Sequence, residues 1–261
     1  MITLNSADLE LMLAMFFYPF VRVMAWLSFD PLLGNRSIPN NIRIVMALVM
    51  AVVITPILPP VHPVALVSGD GLLMLLQQLA VGAALGFTLR IVFAAVELAG
   101  QFMGLQMGLS FASLYDPVNG AQTPVLGQFL VTGSVLMLFA MNGHHLVINA
   151  LAQSFIDVPI SARFSLHGFA ALVQWSGIIF TTGLHLALPV TAALMATNLA
   201  IGMMARAAPQ LNIFAVGFPL SLAAGFLVLY LTLAYLPALI EQFWLQAVGI
   251  AGRVVMGVGG G

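Results

Sequence analysis

The stretch LLMLLQQLAVGAALGFTLRIVFAAVELAGQFMGLQM, residues 72–107, decides how this chain folds. A membrane-spanning helix needs about 20 mostly apolar residues, and this run is longer and lacks the dyad alternation of a barrel strand. It reads as helix. It is nevertheless an imperfect span, because Gln77, Gln78, Arg90 and Glu97 interrupt it. A charge at the bilayer centre costs about 2.5–3.5 kcal/mol on insertion scales, so Arg90 and Glu97 require partners or a wet surface. Their spacing puts them on one helix face but about 10 Å apart along the axis, too far for a direct pair. Gly100, Gly104 and Gly108 recur every four residues, and Gly82 and Gly86 do the same earlier in the run. On a helix such spacing stacks glycines into a groove that another backbone can approach, within the chain or on another subunit.

The rest of the chain has the same character. Of its 261 residues 62% are hydrophobic and only 6% charged, with a mean hydropathy of +1.10. A soluble domain usually carries about 25% charged residues, so an ordinary cytosolic enzyme and a disordered chain are excluded. The solvent for much of the surface must be lipid or the apolar faces of other subunits. Formal net charge is −1 and the seven basic residues are all Arg, which leaves no basic stripe for nucleic acid. There is no cysteine, hence no disulfide, thiolate nucleophile or Cys-based metal site. The N-terminus lacks the positive n-region of a cleaved signal peptide, so the first hydrophobic stretch is expected to be kept.

Six apolar segments emerge: Leu9–Leu33, Ile44–Leu58, Leu72–Met107, Val125–Met141, Phe169–Met204 and Ile213–Val248. They predict an all-α, membrane-associated protein of kinked and broken hydrophobic helices. The fifth is expected to break near Gly183 to Pro189, and the sixth contains Pro219, Pro237 and Glu241. Arg22 and Glu241 pose the same problem as Arg90 and Glu97, and prolines inside segments free carbonyls that lipid cannot satisfy. Both features favour helices buried in protein over helices bathed in lipid. Arg36 and Arg43 flank the first connection and place it toward the cytoplasm. With no Ser-rich linker or charge run, residues 1–252 are expected to form one domain, followed by a flexible glycine-rich tail at 253–261.

Candidates for chemistry are few. His144-His145 follows the turn signal Asn142-Gly143, and His185 precedes Pro189, but no His-Glu-x-x-His helix occurs and no metal site is expected. Ser110 could be mistaken for an intramembrane nucleophile, yet nothing marks a histidine as its base. No catalytic residue and no cofactor are expected. The stretch from Gly108 to Gly120 is more informative as a loop. Asp116-Pro117 and Asn119-Gly120 are turn signals, while Phe111, Leu114 and Tyr115 make it too apolar for a solvated connection. Irregular backbone at membrane depth survives only when packed in protein or lining a cavity. The residues alone leave two readings, an apolar seal across a pore and an interfacial turn with Tyr115 in an aromatic belt. Met103 and Met107, just ahead of it, suit a compliant constriction or plain core filling.

The turn between the last two segments reads GMMARAAPQLNIFAVGFPL, residues 202–220. Arg206 can compensate a helix C-terminus, Pro209 stops the helix, and Asn212 can cap the next. This string resembles the signature of the FliR family, flagellar export-gate proteins related to the SctT subunit of virulence secretion systems. Other segments agree in order and spacing: Arg22 with Pro31 and Ser37-Ile38-Pro39; Glu97 through Gly104 and on to Gly108-Leu109-Ser110-Phe111-Ala112; Asp116-Pro117; Asn142-Gly143-His144-His145; and Ala187-Leu188-Pro189. Each is weak alone, and their ordered sum is specific.

The resemblance implies a non-enzymatic gate subunit of the bacterial inner membrane and flagellar basal body, part of it above the membrane plane. It implies FliP-like and FliQ-like companions, FlhB-like and FlhA-like export components, and transient unfolded export substrates, besides membrane lipid. A FliP-type and a FliQ-type hairpin would be joined in one chain. Gly108, Leu109, Ser110, Phe111, Ala112, Leu114, Tyr115, Asp116 and Pro117 would plug the pore. Arg22, Arg90, Glu97, Arg206 and Glu241 would be intramembrane charges at subunit contacts. Pro209, Gln210 and Asn212 would hold a structural turn, and Gly82, Gly86, Gly100 and Gly104 would pack helices closely. A competing class is a small-solute secondary transporter with a midplane site at broken helices around Pro189 and Pro219.

Overall fold

The computed structural model describes residues 6–34, 38–58, 68–109, 124–160, 165, 167–210 and 212–259. Among them every regular element is helical. In chain order these are α1 (Ser6–Phe29), α2 (Asn40–Ile54) with a short 3₁₀ turn (Thr55–Ile57), α3 (Gly69–Gln106), α4 (Val125–Ala140), α5 (Gly143–Asp157), α6 (His167–Ser176), α7 (Ile178–Ala207), α8 (Ile213–Leu233) and α9 (Leu236–Gly259). The apolar, Leu- and Ala-rich segments become helices because only a helix satisfies its own backbone away from water. Hydroxyls inside them are satisfied in the same way: Thr88 Oγ1 donates to the Ala84 carbonyl at 2.7 Å and Ser134 Oγ to that of Leu130 at 2.7 Å.

Among the described residues three helical stretches are long and apolar enough to cross a membrane: Gly69–Gln106, His167–Ala207 and Ala215–Leu233. The pair α4 and α5, bent by 77°, would make a fourth if it is one span. That bend falls at Asn142, whose φ of 58° is left-handed, a conformation Asn tolerates better than most residues. The Asn142-Gly143 signal thus marks a real corner, and the helix that follows it, α5, was not among the six apolar segments.

Several breaks differ from those expected. The fifth segment parts at Gly177 and not at Gly183 to Pro189, so Pro189 lies inside continuous α7. Gly183 is instead a contact point: a Cβ there would sit 3.0 Å from the Ala95 carbonyl oxygen of α3. The sixth segment divides between α8 and α9 just before Pro237, which falls in the first turn of α9, where its missing N–H is harmless. Pro219, like Pro19 of α1, sits within its helix.

The chain forms two compact units where one domain was expected. One comprises residues 1–91, 142–176 and 244–261; the other comprises 92–141 and 177–243. A 38-residue helix such as α3 is about 57 Å long when straight, more than one core can cover, so its two ends serve different cores. In the first unit Arg22, Trp26, Tyr18, Leu85, Leu89, Leu151 and Phe155 are buried. Trp244 Nε1 donates to the Gly143 carbonyl at 3.3 Å, and Trp175 Nε1 to that of Thr88 at 3.2 Å. In the second unit Met103, Met107, Leu126, Leu130, Val190, Leu194 and Ile240 share one core.

The flexible tail is also corrected. Helix α9 runs to Gly259, and Val254, Val255 and Val258 are buried. Those valines form one apolar stripe, and Gly257 closes on the backbone of Gly168 in α6. The glycines serve close approach here, which a reading of composition alone mistakes for mobility.

Candidate functional site

The candidate gate loop leaves a stem of defined geometry. Helix α3 ends in a Schellman cap: the Leu109 N–H donates to the Gly104 carbonyl at 3.0 Å and the Gly108 N–H to that of Leu105 at 3.1 Å. Gly108 carries the left-handed residue of this cap, with φ 79°. Met103 and Met107 are buried directly beneath it, and Leu109 packs on the same core. The chain returns at Pro124, which starts α4. Gly100 of α3 faces Gly127 of α4 so closely that a Cβ would meet the Gly127 backbone. Both ends of the segment are therefore pinned to one helix pair. Ser110, Phe111, Ala112, Leu114, Tyr115, Asp116 and Pro117 lie outside the described residues, between these two anchors. A Gly108→Ala exchange is expected to destabilise the stem by about 1–2 kcal/mol, the penalty for a Cβ in the left-handed region, read as a lower melting temperature in detergent.

The five charges expected at subunit contacts separate into two groups. Arg22 is fully buried in its own unit, which corrects its assignment. Its Nε donates to Gln78 Oε1 at 2.7 Å, and its terminal nitrogens donate to the carbonyls of Ser154 at 2.6 Å and Val158 at 2.9 Å. The guanidinium carbon stands 4.2 Å over the Phe155 ring. Ser154 and Val158 end α5, where the last carbonyls and the negative end of the helix dipole meet the cation. Gln78 in turn donates to Gln77 Oε1 at 3.2 Å, so the polar interruption of the opening stretch is the socket for this arginine. Arg90, Glu97, Arg206 and Glu241 are all exposed on the chain by itself.

Asp30, at the end of α1, escaped the sequence reading although it directly precedes Pro31. It is buried, and one carboxylate oxygen accepts from the N–H groups of Leu32 at 2.9 Å and Leu33 at 2.8 Å. The other oxygen has no partner among the described residues. Burial pushes the carboxyl up to about 6, against the two N–H groups, which pull it down. The fold therefore favours the neutral acid, and ionisation removes stability as pH rises from about 4 to about 6. Asp30→Asn mimics the neutral acid. Its melting temperature is expected to exceed that of the parent at pH 7, with the gap narrowing by pH 5; a gap independent of pH would contradict this.

The close-packing glycines mostly act within the chain. A Cβ on Gly82 would meet the Arg22 carbonyl, and one on Gly86 would lie 2.7 Å from that of Trp26, so this groove receives α1. Gly100 receives α4. Gly104 is different, with its nearest neighbours at 3.9 Å and 4.0 Å, ordinary contacts. The turn after α7 is built as its residues suggest: Arg206 lies in the last turn, Pro209 follows, and Asn212 Oδ1 accepts from the Ala215 N–H at 3.3 Å. Pro209, Gln210 and Asn212 are exposed. Pro189 and Pro219 lie inside continuous helices and not at helix breaks.

The family model described as "Bacterial export proteins, family 1" matches residues 13–247, spanning all nine helices at least in part. The chain belongs to the FliR family. It is 38% identical over 245 residues, 94% of each chain, to the flagellar biosynthetic protein FliR of Pectobacterium carotovorum. It is 38% identical over 214 residues, 82% of each chain, to the Escherichia coli FliR. To the Bacillus subtilis FliR it is 34% identical over 218 residues, 82% of this chain and 84% of that one. A FliR-family chain with these apolar helices is a membrane-associated component of the flagellar export apparatus. Within it, the residues that sequence reading missed are Asp30, Gly183 and the Gly168–Gly257 contact. Only the Asp30-Pro31 juxtaposition carried a local signal, because the glycine contacts join segments far apart in sequence.

Proposed function

We propose that this FliR-family chain is a structural and gating subunit of the flagellar export gate and performs no covalent chemistry. Its segment from Gly108 to Pro117 closes a pore through which unfolded flagellar proteins pass, with Phe111, Leu114 and Tyr115 as the apolar seal. The observation that carries this reading is the stem. A segment rich in apolar side chains departs from a capped helix end, returns at Pro124, and has both ends fixed to a packed core. A rigid frame around an apolar segment suits a plug, which must reseat in one place after each opening.

The uncovered helices support the partner assignment. Only 28% of the span in His167–Ala207 and 11% of that in Ala215–Leu233 are buried by the chain itself. FliP-like and FliQ-like companions, with lipid, cover these faces. Arg90, Glu97, Arg206 and Glu241 meet polar or charged groups of those companions, and FlhB-like and FlhA-like components assemble around them. The gate stands in the inner membrane at the base of the flagellum, partly above the membrane plane. Its work is a closed–open equilibrium biased by contacts that differ between the two states.

Deletion of Gly108–Pro117 is expected to leave the companion chains co-purifying and to make cells expressing the gate leaky to ions. Normal assembly with unchanged conductance would remove the plug. Absence of FliP-like and FliQ-like chains after mild detergent extraction, with solute uptake by the isolated protein, would favour a transporter.

A further inference from the structure

We infer that Met107, lodged against Gly225 of α8, is the residue that positions the proposed gate segment, and that a shift of α8 is what unseats it. This rests on the reading of Gly108–Pro117 as a plug and adds the element that controls it. Met107 is fully buried and immediately precedes Gly108, the left-handed residue of the cap. Its N–H donates to the Met103 carbonyl at 2.9 Å, which closes the regular hydrogen-bond ladder of α3. Its side chain fills a notch in α8: a Cβ on Gly225 would stand 2.6 Å from Met107 Cγ and 2.9 Å from both Sδ and Cε. Contact therefore runs along the side chain, from Cγ to the terminal methyl, and not only at its mobile end. A shift of α8 at Gly225 is passed to the Met107 backbone, one peptide from the departing segment.

Helix α8 is suited to move. Among its described residues only Gly217, Ser221, Gly225 and Leu229 are buried, one stripe repeating every four positions. Three of the four are small, so little apolar area holds the helix in place. Ser221 Oγ donates to Asn198 Oδ1 of α7 at 3.4 Å, and Leu229 joins the core that contains Met107. Just 11% of the span Ala215–Leu233 is buried by the chain itself. Few buried apolar contacts mark the low-stability end of a fold, from which moving elements are drawn. Methionine suits the joint, since an unbranched, polarizable side chain follows a small displacement before it lets go. Glycine suits the other side, because any side chain at 225 would occupy the notch. A contact on the exposed side of α8 thus biases the seated against the released state, whichever chain makes it.

The sequence has no cysteine, so a pair of them makes a clean lock. Met107 Cγ occupies the place of a cysteine Sγ, and with Met107→Cys and Gly225→Cys together the two Cβ atoms lie within the about 4.5 Å that a disulfide spans. In cells carrying the full gate, oxidation of this pair is expected to stop export of flagellar proteins and reduction to restore it, while each single cysteine is indifferent to oxidant. Gly225→Leu evicts the methionine and should raise ion leak through the resting gate at least about fivefold, the low end for coupling between two sites. Adding Met107→Ala refills the notch from the other side and should return the leak toward the parent, which a general packing defect would not do. Should Gly225→Leu fail to assemble, the cysteine pair decides alone. The Gly108–Pro117 deletion runs alongside. A leaky deletion beside a tight Gly225→Leu gate, or undiminished export through the cross-linked gate, overturns the role of Met107 and leaves the plug standing. A deletion that does not leak overturns both.

Discussion

Arg22→Ala is expected to unfold the first unit in large part, with a loss of about 3–5 kcal/mol, the range for removing one partner from a buried charged network. The substitution takes the donor from Gln78 Oε1 and from the Val158 carbonyl, and leaves the Ser154 carbonyl with only the Val158 N–H at 3.1 Å. Each orphaned acceptor costs about 1–3 kcal/mol. The stacking of the guanidinium on Phe155 is lost as well, and α1 no longer reaches the end of α5. Arg22→Lys should fall between, since an ammonium keeps the charge but lacks the fork that serves three acceptors on different elements. Thermal unfolding in detergent, with protease resistance of the membrane-inserted chain as a second readout, measures the series. An Arg22→Ala protein melting within a degree of the parent would refute this role.

Gly100→Ala and Gly104→Ala are expected to act in opposite directions, although the two glycines belong to one four-residue repeat. At Gly100 a Cβ would press on the Gly127 backbone and stand 2.8 Å from the Leu126 carbonyl carbon. None of these atoms is the end of a flexible side chain, so α3 and α4 must separate. Overpacking of this kind costs about 1–3 kcal/mol, and Gly100→Val should cost more. At Gly104 the added methyl finds ordinary van der Waals room near Leu126 and Leu109. There the gain in helix propensity, about 0.5–1 kcal/mol, should show as a raised melting temperature. The crossing at Gly100 also sets where the proposed gate segment leaves and returns, so on that proposal Gly100→Ala is expected to increase ion leak where Gly104→Ala does not. Equal effects of the two substitutions would show that the stripe works only as a general small-residue face.

Legibility followed the range of the interaction. The opening stretch reads correctly as helix because its signal, a long apolar run, is local. The turn at 206–212 reads correctly for the same reason: helix stop, proline and Asn cap lie within a few residues of one another. Asn142 likewise marks a corner through its own backbone preference. The misplaced break in the fifth segment came from weighing Pro189 as a breaker, whereas α7 absorbs it and parts at Gly177. The C-terminal glycines misled because Gly257 is defined by a neighbour about ninety positions away, Gly168. Of the proposed gate segment, the sequence offers the apolar residues and the described residues supply its two anchors.

By itself the sequence settled the solvent and the all-helical class. A chain with 6% charged residues cannot clothe itself for water, and apolar surroundings force backbone groups to pair within each helix. Tertiary structure alone decided which polar groups face inward. Arg22 and Arg90 are both single cations in apolar helices, yet one is enclosed by α5 and Gln78 while the other is exposed. Burial of a charge depends on acceptors brought from distant elements, and no pattern along one helix records which elements will arrive.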